Sequence, residues 1–240
     1  MALIDLAELP DPGTRPQHES ACIALRDAVI SCRLEPGRLV TEGDLARQFG
    51  FGKTAVRLAL TRLAQEGLVR SLGRRGYEIT PLTIGDVNEL FDVRAMLEAE
   101  AARLAIGRID IERLRLVEQR LRDGARGKVR LGGDAETNAL HTAFHLQVAA
   151  ASGNQRLFGL MQAAMREMNR LLYLGLGVLP AGQIDHHFHQ ELIDALARHD
   201  ADAAARHARA HVEGGRDMVM RALLQSPAMR QVALPTGRVA

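Results

Sequence analysis

The sequence contains no tryptophan, and aromatic residues of every kind make up only 3% of its 240 residues. Ala, Leu and Arg dominate instead, which are good helix formers and poor sheet formers, so helix is expected to prevail. Cysteine is scarce too. The two present, Cys22 and Cys32, exclude a disulfide scaffold and a four-cysteine zinc site. Both fall in a stretch that reads as one helix, ~15 Å apart and beyond bridging distance. Reduced thiols in a cytoplasmic protein are the expectation. There is no excess of one charge: 31 basic residues against 29 acidic give a net +2. That excludes a uniformly basic coat, so any nucleic-acid surface must be local. No long apolar run exists either. The longest, Leu171 to Pro180, is broken by Gly175 and Gly177 and is too short to span a membrane. The first residues, Met1 to Glu8, carry acids and no basic leader, unlike a signal peptide. No membrane partner is expected.

What is present is enough apolar material, 47% of the chain, to bury a real core. Apolar residues Ala21, Ala24, Leu25, Ala28 and Val29 follow helical spacing and predict a helix over 18–32. Pro36-Gly37 makes a turn. Thr41-Glu42-Gly43-Asp44 starts a short helix to about Phe49, as a capping box with Asp in place of Glu. After the break Gly50-Phe51-Gly52 a helix runs from Lys53 to Glu66, closed by Gly67. Leu68–Leu72 and Tyr77–Thr80 read as a hairpin joined by Gly73-Arg74-Arg75-Gly76.

Beyond Pro81 only helices are expected. Thr83 caps one to about Gly107, carrying Val87, Leu90, Phe91, Met96 and Leu97. Others cover about 110–126, 135–151, 154–174, 181–198 and 200–224, with a glycine-rich loop at 127–134. The fold class is therefore mostly α, in two units: residues 17–81, with three helices and a small β-hairpin, and residues 82–225, an antiparallel bundle of about six helices. Residues 1–16 and 226–240, each with clustered or flanking prolines, read as tails.

Charge is concentrated in one place. Residues 52–80 hold Lys53, Arg57, Arg62, Arg70, Arg74 and Arg75 against only Glu66 and Glu78, a net +4. Helical spacing sets Lys53, Arg57 and Thr61 on one face and the apolar Val56, Leu60 and Leu63 on another. The positive N-terminal end of that helix would meet phosphates first. A helix with a basic hairpin beside it suits groove reading with a backbone clamp, whereas a solvated charged face is the plainer alternative.

The order of motifs decides between them. Leu25-Arg26-Asp27-Ala28-Val29-Ile30, Leu34-Glu35-Pro36-Gly37, Leu45-Ala46, Thr54-Ala55-Val56-Arg57, Ala59-Leu60-Thr61-Arg62-Leu63, Glu66-Gly67-Leu68-Val69 and Arg74-Arg75-Gly76 together resemble the winged helix-turn-helix domain of GntR-family bacterial transcription regulators. The resemblance implies that Lys53, Thr54 and Arg57 touch DNA and that Arg74, Arg75 and Gly76 form the wing tip. Lys53 stands where that family has Arg, Gly52 where it has a capping Ser, Ala55 where it has Pro and Leu58 where it has Glu. The lysine turns a guanine-reading fork into a point charge.

Nine histidines are the second feature. His141 and His145 share a helix face, bordering Leu140, Phe144 and Val148, and His207 and His211 form another i, i+4 pair. Imidazole is the commonest metal ligand. His18, His186 and His187 read as unrelated to any site. Residues 86–213 resemble the FCD ligand-binding domain of the FadR-type branch: Val93-Arg94-Ala95-Met96-Leu97-Glu98 with Ala101-Ala102, His141-Thr142-Ala143-Phe144-His145, Ser152-Gly153-Asn154, His189 through Leu196, and His211. The resemblance implies a divalent metal held by His141, His145, His189 and His211, with a small carboxylate effector completing the coordination. His141 replaces the branch's Asp, which favours Zn²⁺, Ni²⁺ or Cu²⁺ over Mg²⁺; Zn or Ni is expected. Arg94 is a candidate for the effector carboxylate, with an ion pair to Glu98 as the alternative. Asn138, one turn before His141, is a second candidate cavity residue.

The leading functional expectation is a repressor that binds double-stranded DNA at a palindromic operator as a homodimer and responds to an organic acid. It is not expected to be an enzyme. A metal-dependent hydrolase built on the histidines is the alternative, weakened by the lack of His-Glu-x-x-His; a regulator with a purely structural or absent metal is another.

Overall fold

The computed structural model describes residues 16–126, 135–175 and 189–225. The chain forms two compact units, Met1–Leu82 and Thr83–Ala240.

In the first unit, α1 (Gln17–Ile30), α2 (Glu42–Phe49) and α3 (Lys53–Gln65) surround an apolar core. The expected stripe of α1 is buried through Ala21, Leu25, Ala28 and Val29, and it packs on Val56, Leu60 and Leu63 of α3. The helix ends at Ile30, two residues earlier than the periodicity suggests, because Cys32 takes a left-handed φ of 55°. Cys32 is therefore outside the helix, and neither cysteine forms a disulfide.

Thr41 caps α2 by accepting from the Asp44 N–H at 3.1 Å, while its hydroxyl donates to the Asp44 carboxylate at 2.7 Å. Asp44 thus closes half of the expected capping box: its carboxylate takes the Thr41 hydroxyl and Arg47 rather than the Thr41 backbone N–H. Gly50 ends α2 with φ 72° and turns the chain into α3.

The wing differs from a simple hairpin. β2 (Val69–Ser71) and β3 (Tyr77–Ile79) pair antiparallel around a 3-10 turn at Gly73–Arg75. A third strand, β1 (Leu39–Val40), pairs with the other edge of β3, giving the order β1-β3-β2. Two residues are too few to show a period, so β1 left no pattern in the sequence.

The second unit is a bundle of six helices among the described residues: α4 (Ile84–Ala105), α5 (Ile111–Arg126), α6 (Ala135–Ala151), α7 (Gln155–Gly175), α8 (Gln190–Ala197) and α9 (Ala201–Gln225). Thr83 and Asp86 form a full capping box at the start of α4. α4 packs on α6, α7 and α9, and α5 on α6 and α8. The buried face of α4 departs from the apolar reading. Met96 is 57% exposed, while Arg94 and Glu98 are buried. A hydrophobicity pattern assigns the wrong face wherever a helix turns charged residues inward. The first part of the expected 181–198 helix, the loop 127–134, His186, His187 and both tails lie outside the described residues.

Candidate functional site

On the first unit, α3 begins at Gly52, which occupies the N-cap without a side chain to bond the first free amides. Lys53, Thr54, Arg57 and Thr61 are exposed, opposite the buried Val56, Leu60 and Leu63. Arg57 is not loose. Its Nε donates to Glu42 Oε1 at 2.9 Å, and its Nη2 to Glu42 Oε2 at 2.9 Å. Glu42 sits in the first turn of α2, and Tyr77 of β3 reaches the same carboxylate. The hydrogen bonds from Arg57 hold the Glu42 carboxyl below the usual range.

Arg74 and Arg75 are exposed in the 3-10 turn. Gly76, expected at the wing tip, lies instead at the foot of that turn. Its φ is 93°, and a Cβ there would come within 2.5 Å of the Val40 carbonyl oxygen. Only glycine allows β1 to lie this close to β3.

In the bundle, five helices deliver imidazoles and carboxylates to one buried point. His141 and His145 come from one face of α6, His189 from the N-cap of α8 and His211 from α9. One ligand nitrogen from each lies within 4.8 Å of the others. A tetrahedral zinc with Zn–N of about 2.0–2.1 Å needs separations of roughly 3.3 Å, so small side-chain movements suffice. His141 Nε2 and His145 Nε2 already face each other at 3.2 Å. His141 Nδ1, His189 Nε2 and His211 Nδ1 are buried without a hydrogen-bond partner. Buried ring nitrogens left unbonded are costly unless an ion or proton joins them.

Two carboxylates stand behind the rings. Glu98 of α4 is 2.8 Å from His145 Nδ1, and Glu118 of α5 is 2.9 Å from His189 Nδ1. Each carboxylate holds Nδ1 as the donor and so turns Nε2 toward the cluster, the arrangement that orients metal-binding histidines. Each is itself held by an arginine: Glu98 by Arg94 Nη2 at 2.7 Å, and Glu118 by Arg122 Nε at 3.0 Å. Phe144 stacks on His189 at 3.7 Å between ring centroids. Burial drives His141, His145 and His211 well below the ordinary histidine range, and neighbouring positive groups add to it. Burial pushes Glu118 up, but the hydrogen bonds from His189 and Arg122 outweigh it and keep it below the usual carboxylate range.

The four histidines expected from sequence are thus brought together, and the donor set suits a borderline-soft divalent ion. Arg94 lies at the cluster but is engaged by Glu98, the alternative weighed for it above. Asn138 is buried one turn from His141. His207 points elsewhere, 3.7 Å from Glu191. Sequence reading missed the roles of Glu98 and Glu118. Glu98 sits one turn beyond Arg94 in a motif that was noticed; Glu118 lies in a helix of alternating charges with nothing to single it out. A cavity lined by Glu98, Phe144, His145, Met161 and Leu192 adjoins the rings, with a volume near 10 Å³.

Comparison with known proteins agrees with both halves. Residues 18–79 match the family described as bacterial regulatory proteins, gntR family, and residues 89–214 match the FCD domain. The chain belongs to the GntR family. It is 28% identical over 193 residues to the uncharacterized HTH-type transcriptional regulator YdhC of Bacillus subtilis, covering 78% of this chain and 84% of that one. It is 22% identical over 200 residues to the HTH-type transcriptional repressor RspR of Escherichia coli, covering 83% and 87%. The fold is similar to that of E. coli McbR/YncC, with a TM-score of 0.72 at 19% identity over 87% of this chain and 99% of that one. The GntR chain described here is therefore a DNA-binding transcription regulator carrying an FCD domain, and its relatives are regulators rather than enzymes. No helix among the described residues is long and apolar enough to cross a membrane.

Proposed function

We propose that this regulator is a repressor, that it binds a palindromic operator as a homodimer in the cytoplasm, and that a small organic acid acting at a metal-loaded bundle controls it. The repressor sign is supported by the likeness to RspR. Lys53, Thr54 and Arg57 of α3 meet the major groove, and Arg74 and Arg75 of the wing meet the backbone or minor groove, as exposed cations beside a helix N-terminus should. Gly76 serves by letting the wing fold tightly enough to present them.

The observation that carries the sensing half is the set of four imidazoles with ligand nitrogens within 4.8 Å of one another, three of them carrying a buried nitrogen with no hydrogen-bond partner. His145 and His189 would ligate through Nε2, since Glu98 and Glu118 occupy their Nδ1 atoms. The all-imidazole set favours Zn or Ni. A divalent cation bound there supplies a positive pole for a carboxylate. Arg94 would offer a second, if the acid competes with Glu98, and Asn138 would line the same side.

The cavity beside His145 supports a switch. At about 10 Å³ it has room for one water at most. An organic acid therefore needs an expanded bundle, and a ligand that binds only the expanded state shifts the population toward it. The tight closure equally favours a structural ion, and one variant separates the readings. His189→Ala that loses the effector response but keeps operator binding supports sensing; a bundle that unfolds supports structure. The direct test is elemental analysis of untagged protein never exposed to chelator. About one Zn or Ni per chain is expected. Protein that contains none and takes up none on addition removes the metal from the reading.

A further inference from the structure

An acid in the middle of a basic DNA-binding face needs a reason. Glu42 lies beside Lys53 and Arg57, in the stretch that would meet phosphates, and it weakens their pull on DNA. Its ion pair with Arg57 contributes little to stability, since the arginine side chain is 67% exposed. The geometry of the pair is more informative. Glu42 takes Arg57 from the side, through Nε and Nη2. A guanidinium has five N–H donors in one plane. Two go to Glu42, so both Nη1 hydrogens and one Nη2 hydrogen remain, and one from each nitrogen forms the end-on fork. Such a fork matches O6 and N7 of guanine, the commonest specific arginine contact in the major groove. The Arg57 backbone is fixed by α3, where Thr61 Oγ1 donates to its carbonyl at 2.9 Å. Glu42 is fixed by α2, with Tyr77 of β3 reaching its carboxylate. Three elements thus converge on one guanidinium.

We propose that Glu42 is a specificity-determining positioning residue: it grips the side of Arg57 and holds the end-on edge as a preset fork for one guanine of the operator. This rests on the reading that α3 enters the major groove. It also reassigns base reading within the helix. Lys53, a point charge on a flexible stem, adds attraction, whereas Arg57 carries the geometry. Immobilising a long side chain before binding removes an entropy cost that would otherwise be met at the interface. Glu42 also lowers affinity for DNA of the wrong sequence, where its charge is not compensated by a base contact.

The full-length wild-type protein is used to select duplexes from a random pool. The selected duplex and a shuffled duplex of equal length are then titrated by fluorescence anisotropy with wild type, Glu42→Gln, Arg57→Lys and the double variant. Glu42→Gln is expected to weaken binding to the selected duplex about tenfold, while binding to the shuffled duplex is unchanged or tighter. Reselection with the variant should relax a single guanine position. Arg57→Lys should do the same, and the double variant should be no worse than Arg57→Lys alone. Equal losses on both duplexes would make Arg57 a phosphate anchor and overturn the proposal. So would an unchanged ratio, including one accompanied by a lower melting temperature, which would reduce Glu42 to a first-turn acid stabilising α2. A wild-type chain that enriches no sequence at all would overturn the DNA reading itself.

Discussion

The two units keep their polar groups in opposite places. The winged unit has a core of Ala, Val, Leu, Ile and Cys22 side chains, and its charged pairs are half-buried or exposed. In the bundle the core itself is polar: every buried polar or charged side chain among the described residues, from Arg94 to His189, belongs to it. A domain that reads a ligand larger than itself works from its outside and can leave its interior apolar. A domain that admits a small ligand must place chemistry where an apolar core would be more stable. The same ion pair occurs in both settings. Arg94–Glu98 is 2.7 Å apart and buried; Arg57–Glu42 is 2.9 Å apart and open to water.

Replacing Glu98 by Ala tests that contrast where the effect is largest. It strands the Arg94 guanidinium and removes the partner of His145 Nδ1. Breaking a buried pair from one side costs about 3–5 kcal/mol, so thermal unfolding should show the bundle melting well before the winged unit. Glu98→Leu together with Arg94→Met should recover most of the loss, because an apolar replacement of the whole pair leaves no stranded charge. Recovery would also show that the pair serves the site rather than the fold.

Metal removal comes next in size. An ion at a concentration 100-fold above its Kd stabilises the folded state by about 2.7 kcal/mol. Chelation should therefore lower the melting temperature of the bundle and leave that of the winged unit where it was. His189→Ala should abolish the chelator effect, since His189 Nε2 is one of the converging unbonded nitrogens.

How much of this was legible in the sequence follows the same division. Helix α3 and its faces were readable because surface cations and core aliphatics alternate with the helical period: Lys53 and Arg57 outward, Val56, Leu60 and Leu63 inward. The four histidines were found through the motif order around them, and the structure gathers all four. Glu98 and Glu118 were not assigned to the site, because a charged residue on a helix ordinarily faces solvent and only tertiary packing shows that these two do not. Met96 was placed inward by the same rule applied in reverse and is exposed. Strand β1 is set by pairing with β3, a contact between residues about 38 positions apart that no local period records. Gly76 was noticed as part of a motif, but its reason, the Val40 carbonyl, belongs to that unseen strand.

Acid should separate the units as well. His141, His145 and His211 sit well below the ordinary value of 6.5, chiefly through burial, so the folded metal-free bundle holds them neutral. Below pH 6.5 the unfolded chain takes up protons that the folded chain does not. Stability is therefore fully present above the unfolded pKa and falls as the pH drops through and below it, by up to about 1.4 kcal/mol per pH unit for each histidine. The winged unit buries no histidine among its described residues, so its unfolding midpoint should stay level over the same window. Urea melts of metal-free protein at pH 7.5, 6.5 and 5.5 would measure the difference; parallel loss in both units would show that the buried imidazoles are not its source.

The smallest expected effect is the most discriminating. Glu42→Ala removes an ion pair close in length to the buried one but open to water, and exposed pairs contribute about 0–1 kcal/mol. The winged unit's stability should hardly move, in contrast to Glu98→Ala in the bundle. Its selectivity for the operator should move all the same, since a guanidinium freed from Glu42 keeps its charge but loses its direction. A large loss of stability would place Glu42 with Glu98, as a residue the fold requires. A small loss with unchanged selectivity would leave it an ordinary surface acid. A small loss with relaxed selectivity would show that in this unit an ion pair worth almost nothing to folding is retained for the duplex it helps to read.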